Sequence, residues 1–225
     1  MTIKTCFLWW QRFAKLALAI LITTGCVNSV DSPPSADQSN LIGLDSSEGR
    51  NDGIRPASLS INVGIVDDAR ETDLVSSVLS GVQEIYDQCQ ISVAFNTVNI
   101  ELEEKSVIDA KMQTRLVSEY KAESPAVFFV SGTAEEDVAF AYLPSLDSSL
   151  ASSMWVTNRV SERCLTWITA HEIGHVLLNN AQHSGRAFNV MSTGCKLGNW
   201  NNNSVSPRWM PGQCVALRRS PFLTD

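Results

Sequence analysis

Between Leu165 and Leu178 the chain reads LTWITAHEIGHVLL, a stretch with no polar stripe at any helical phase. A helix built from it is apolar on nearly every side, so it must be covered all round, by a sheet on one side and by further chain on the other. Its ends are marked. Ser161 can cap the start, and Val160 and Leu165 stand at the spacing of a hydrophobic staple. Asn179 and Asn180 can supply the left-handed residue that stops it, because Asn tolerates positive φ better than most residues. Inside this segment lie His171, Glu172 and His175, two imidazoles and a carboxylate that are costly to bury without compensation.

The sequence before this helix alternates between two periods. Leu59, Ile61, Val63 and Ile65 alternate with small or polar residues, as in a half-buried strand. Leu74, Val75, Val78, Leu79, Val82, Ile85 and Tyr86 then recur at three- and four-residue steps, one face of a helix. Ile91 to Phe95 with Val98 and Ile100 predict a second strand region. Ile108, Met112, Leu116 and Tyr120 predict a second helix, ending before Pro125. AVFFV at Ala126 to Val130 reads as a strand buried on both faces, and Val138 to Leu143 and Met154 to Val160 as two more. Strand, helix, strand, helix, strand predicts an α/β fold with a mainly parallel sheet whose later short strands can pair antiparallel at an edge. Pro211 can open a final helix through Arg219. Trp200 and Trp209 either line a pocket or cover the small lower half of the domain.

At 225 residues with 44% hydrophobic content, the chain supports one good core. Its first 25 residues carry Lys4, Arg12 and Lys15 and no acid, and the remainder holds 14 basic against 24 acidic side chains, a net of −10. That charge argues against nucleic acid as a partner. The apolar run Leu16 to Ile22 is far shorter than the roughly 20 residues a spanning helix needs. With the basic stretch before it and small residues after it, it has the layout of a secretory signal. LITTGC, ending at Cys26, resembles the lipobox of bacterial lipoproteins, which implies cleavage before Cys26 and its lipidation. The alternative is an ordinary signal peptide that leaves Cys26 a plain thiol. Residues 1–25 are expected to be the signal, 26–57 a Ser-, Asp-, Gly- and Pro-rich tether, and 58–225 the folded domain. The expected location is the bacterial cell envelope.

Setting aside Cys6 and Cys26 leaves Cys89, Cys164, Cys195 and Cys214, an even number in an exported chain, so two disulfides are expected. Three pairings are possible; the short local loop favours Cys195 with Cys214, leaving Cys89 with Cys164. Zinc binding by these cysteines lacks any C-x-x-C spacing.

On a helix, residues four apart share a face with Cβ atoms about 5 to 6 Å apart, so His171 and His175 can both donate a ring nitrogen to one zinc ion. Glu172 beside them can act as general base on water. The bland reading is two hydrogen-bonded core histidines. A catalytic zinc needs a third protein ligand. After Val176 the only acid is Asp225, and the only remaining histidine is His183. Five residues beyond Leu178 can span at most about 17 Å, enough to turn back to the metal.

HEIGHVLLNNAQHSGRAFNVMS resembles the active-site region of metzincins, zinc peptidases whose third His follows a helix-ending turn and whose later Met lies in a tight turn under the metal. The resemblance implies His171, His175 and His183 as zinc ligands, Glu172 as general base and Met191 as the floor. It also implies a twisted, mainly parallel sheet with an antiparallel edge strand, here Val138 to Leu143, that binds extended substrate, and a small C-terminal subdomain. Three features depart from the family: His183 falls two residues late, Leu178 replaces the turn glycine, and no Tyr closely follows Met191.

The resulting expectation is a monomeric zinc endopeptidase acting on peptide or protein substrates and held to a membrane through Cys26. Two other functions stay open: an inactive envelope binding module that keeps zinc structurally, and a zinc amidase acting on a non-peptide or cell-wall amide.

Overall fold

The computed structural model describes residues 56–103, 107–120, 124–134, 137–146, 148–193, 195 and 207–224. Cys26, Trp200 and the expected signal and tether up to residue 55 lie outside them.

β1 (Ala57–Val66), α1 (Thr72–Asp87), β2 (Ile91–Ile100), α2 (Ala110–Tyr120) and β3 (Ala126–Val130) follow in the expected order. β4 (Ala139–Ala141), β5 (Ser153–Thr157), α3 (Glu162–Leu178), α4 (Pro211–Leu217) and β6 (Leu223–Thr224) complete the described elements. The sheet runs β2-β1-β3-β5-β4, with β6 joined to β1. Pairs β1–β2, β1–β3 and β3–β5 are parallel, whereas β4 on β5 and β6 on β1 are antiparallel. The fold is thus mixed α/β with a mostly parallel sheet and an antiparallel edge strand.

Period-two alternation divides the core into two layers. Val127 and Phe129 of β3 and Met154 and Val156 of β5 face the apolar stripes of α1 and α3. Phe128, Val130 and Trp155 face the opposite way, onto Leu116 and Val117 of α2. Phe128 stacks on Trp155 with ring centroids 4.6 Å apart. Gly64 makes room for that layer: a Cβ there would lie 2.8 Å from both Ile100 Cδ1 and Phe128 Cδ1. α3 is covered on every side, as its composition requires, with Leu165 and Ala170 at 0% exposure and Ile173 and Val176 at 1%.

Some local expectations need correction. α2 starts at Ala110 rather than Ile108, because Asp109 Oδ1 accepts the Met112 N–H while Ile108 forms a bridge to Thr133. Ser161 occupies the N-cap position of α3 but makes no side-chain capping bond. The turn into α3 is held instead by the Arg70 guanidinium, which donates to the Thr157 and Val160 carbonyls at 3.2 and 2.7 Å. The cysteine pairing is also different: Cys89 bonds Cys214 and Cys164 bonds Cys195. α4 lies beside the turn between α1 and β2, where Arg218 donates to the Cys89 and Gln90 carbonyls, and this brings Cys214 to Cys89 rather than to its sequence neighbour. The segment after Met191 returns to the first turn of α3, so Cys195 meets Cys164. Disulfides of this kind persist in oxidising compartments. Among the described residues, no helix is long and apolar enough to cross a membrane.

Candidate metal centre

α3 presents His171 and His175 on one face, one turn apart, with exposures of 4% and 7%. Asn179 ends the helix in the left-handed region, at φ 46° and ψ 45°. Its backbone N–H closes onto the His175 and Val176 carbonyls, and its Oδ1 accepts the Ser145 N–H at 3.0 Å, tying the helix end to the loop after β4. The chain then doubles back and sets His183 against the other two rings. The His183 ring is nearly parallel to His171, with centroids 5.1 Å apart, and edge-on to His175 at 4.9 Å. One potential ligand atom from each of His171, His175 and His183 lies within 4.8 Å of the others.

The ring orientations are fixed by acceptors. His171 Nδ1 lies 2.7 Å from the Val190 carbonyl oxygen, and His175 Nδ1 lies 2.7 Å from that of Asn180. A carbonyl can only accept, so each Nδ1 carries the proton and each Nε2 turns a lone pair inward. The two Nε2 atoms stand 2.9 Å apart. Two lone pairs at that distance repel unless a cation lies between them, and Zn–N bonds of about 2.0–2.1 Å place neighbouring nitrogens of a tetrahedron roughly 3.3 Å apart. The donor set therefore fits a divalent ion of zinc's size and taste for nitrogen, with backbone carbonyls holding the ligating rings as such sites require.

Electrostatics favour the same state. Burial, then the neighbouring His175 charge, pushes His171 down to about 3, against the pull of the Val190 carbonyl. Burial also lowers His175 and His183 from the ordinary imidazole value. All three are consequently neutral and able to ligate at pH 7. Glu172, 5% exposed, is pushed the other way, up to about 8, by burial first and by the Asp137 charge second. A buried carboxyl with a pKa near neutrality is suited to proton transfer.

Met191 is buried at 1% exposure, and its carbonyl accepts the Ser184 N–H at 2.6 Å, which links the residue after His183 to the turn that carries Met191. Asn189, a residue the sequence did not single out, organises that turn. Its Oδ1 accepts the Met191 N–H at 2.9 Å, and its Nδ2 donates to the Arg208 carbonyl at 3.1 Å and to Gln213 Oε1 at 2.7 Å. Only its place in the unpatterned stretch before a buried Met could have drawn attention to it. Trp209 is buried beside Tyr86 with centroids 5.4 Å apart, in the core layer that holds α1 and α3. The edge strand is β4; Ala139 and Ala141 pack on the core layer that holds α3, and the strand's outer edge pairs with none of the described residues.

The mostly parallel sheet with an antiparallel edge strand, packed on helices, is a fold shared with solved structures of a metalloproteinase and an archaemetzincin. The chain is similar to metalloproteinase-II from Bacteroides fragilis, at 19% identity and a TM-score of 0.52 over 72% of this chain and 52% of that one. It is likewise similar to archaemetzincin from Methanopyrus kandleri, at 15% identity and a TM-score of 0.51 over 72% of this chain and 94% of that one. This chain thus spans about half the length of the Bacteroides protein. No family model and no curated protein matches it.

Proposed function

We propose that this chain is a zinc-dependent endopeptidase of metzincin type, with His171, His175 and His183 as ligands and Glu172 as general base. One observation carries the reading: three neutral imidazoles converge on one point, two of them with Nδ1 engaged by carbonyls and Nε2 directed inward. Zinc bound by such a set supplies Lewis acidity, polarising a substrate carbonyl and bringing the pKa of water to about 7. Glu172 accepts the proton of the attacking water and returns it to the leaving amine. Met191 floors the site without ligating. The free edge of β4 supports a peptide substrate, because an extended chain can add there by main-chain hydrogen bonds.

The same proposal extends to the rest of the chain. Residues 1–25 direct export, lipid on Cys26 holds the mature protein at the envelope membrane, and the segment after it tethers a monomeric catalytic domain whose first strand opens at Ala57, one residue before the expected boundary. The two disulfides support export.

The test is cleavage of a peptide library by the purified protein, its arrest by a chelator and its return on adding zinc. Zinc uptake without cleavage would point to the binding module, and cleavage of cell-wall amides alone to the amidase.

A further inference from the structure

Gly174 lies between Glu172 and His175 on α3, in the interior of a helix where glycine is a poor choice. The reason is steric. A Cβ at Gly174 would stand 2.6 Å from Met191 Sδ and 2.8 Å from Trp209 Cη2. No ordinary side-chain carbon approaches that closely, so both groups reach the helix only because this residue has no side chain. Both come from outside α3, and both are fixed from behind. Met191 is held by Asn189. Trp209 is held by Tyr86 and by Gln88, whose Oε1 accepts the Trp209 backbone N–H at 3.3 Å. The Tyr86 hydroxyl in turn donates to the carbonyl of Ala170, the residue before His171, at 3.0 Å.

We propose that Gly174 is a positioning residue for the metal centre: its bare backbone lets Met191 and Trp209 together form a two-part floor that fixes the helical turn carrying His171 and His175. The inference rests on the metal reading above and adds Gly174 and Trp209 to it. Without the floor, that turn can shift relative to Val190, whose carbonyl orients His171 from the same segment as Met191. The ligand geometry would then loosen even though each ligand remains.

The experiment measures zinc affinity of the full, disulfide-intact protein by competition with a chelating dye, together with the visible spectrum of the cobalt-substituted form. Gly174→Ala should weaken zinc binding by about tenfold or more, the scale seen when the groups supporting metal ligands are lost, and should shift the cobalt bands. Gly81→Ala is the matched control. It places a Cβ 2.6 Å from Thr166 Cγ2 where α1 meets α3, more than a turn before His171. It should lower the melting temperature yet leave affinity and spectrum unchanged. Trp209→Phe adds no atom to the packed face and should weaken binding in the same direction as Gly174→Ala. Met191→Ala should cost less in the Gly174→Ala background than in the parent, because the contact it removes is already displaced.

Unchanged affinity and spectrum in Gly174→Ala or in Trp209→Phe overturns the proposal, as does an equal loss in Gly81→Ala or strict additivity with Met191→Ala. A parent protein with no affinity for zinc defeats the metal reading itself. A parent that binds zinc no better than Gly174→Ala defeats this inference alone.

Discussion

Replacing Glu172 with Gln separates the chemistry of the site from its stability. In the metal-free protein the folded Glu172 carboxyl has a pKa raised from 4.5 to about 8, by burial and by the charge of Asp137. The folded chain therefore binds this proton more tightly than the unfolded chain. Between pH 4.5 and 8 the unfolded state gives up its proton first, so stability falls as pH rises, by about 1.4 kcal/mol per pH unit. By pH 7 the accumulated loss is about 3 kcal/mol, and it is complete once pH passes the folded value. His171, lowered to about 3, has the opposite slope between its folded value and the ordinary 6.5. His175 and His183, also lowered by burial, share that slope, and because all three histidines act equally in parent and variant they drop out of the difference between the two. Gln keeps the shape and does not ionise. The chelator-treated Glu172→Gln protein should thus gain about 3 kcal/mol on the parent between pH 4.5 and pH 7, read as the difference between their urea-denaturation curves. Zinc binding should persist while peptide cleavage falls by roughly 10²–10⁴-fold, the usual contribution of a general base. A difference that stays constant from pH 4.5 to 8 would refute the burial argument, and undiminished cleavage would refute the assigned role.

Other outcomes follow from the same geometry. His183→Ala should weaken zinc binding by more than the roughly 10–100-fold that loss of a supporting hydrogen bond costs, measured by dye competition. Zinc affinity should fall by less than the roughly several hundred-fold that three ordinary imidazoles would cost as pH drops from 7 to 5.5, because burial holds His171 near 3 and lowers His175 and His183. Replacing Cys89 and Cys214 by Ser, which opens a separation of 125 residues, should destabilise more than replacing Cys164 and Cys195, at 31 residues. Loop-closure entropy gives about 5 against about 4 kcal/mol, with reversal of that order in urea denaturation as the contrary result. Asn179→Gly keeps the left-handed turn at φ 46° and loses only the bond to Ser145, whereas Asn179→Ala also strains the backbone and should cost about 1 kcal/mol more.

What the sequence made legible was whatever a short period encodes. AVFFV became β3 with every residue buried, and the stripe from Leu74 to Tyr86 became the inner face of α1. In each case the hydrophobic repeat and the final burial are the same physical fact. The three histidines were legible for a different reason: they are the only ones in the chain. Contacts between distant segments left no such trace. β6 is two residues long and pairs with β1 across most of the domain's sequence, too short a run to carry a period of its own. The disulfides follow the placement of α4 beside the turn after α1 and of Cys195 beside the first turn of α3, neither of which a spacing rule can supply. Gly174 looked like an ordinary member of an apolar run until Met191 and Trp209 were placed against it.

His183 lies two residues later than the spacing its segment resembles, yet its ring still meets those of His171 and His175. The chain between His175 and His183 is fixed at both ends and in the middle. At its start, the His175 carbonyl accepts the Asn180 N–H at 3.2 Å while the His175 ring donates to the Asn180 carbonyl. In the middle, Asn180 Oδ1 accepts the Gln182 N–H at 2.9 Å, a local turn of the kind Asn side chains make. Just past its end, the Ser184 N–H reaches the Met191 carbonyl. Extra residues in such a segment lengthen the arc and need not move the endpoint, because His183 is placed by the bond at Ser184 and by the turn at Asn180. Asn179 and Asn180 do with a left-handed residue and side-chain acceptors what a glycine turn does with backbone freedom. Convergence of the three rings is therefore set by the hydrogen bonds that bracket the loop rather than by the number of residues within it.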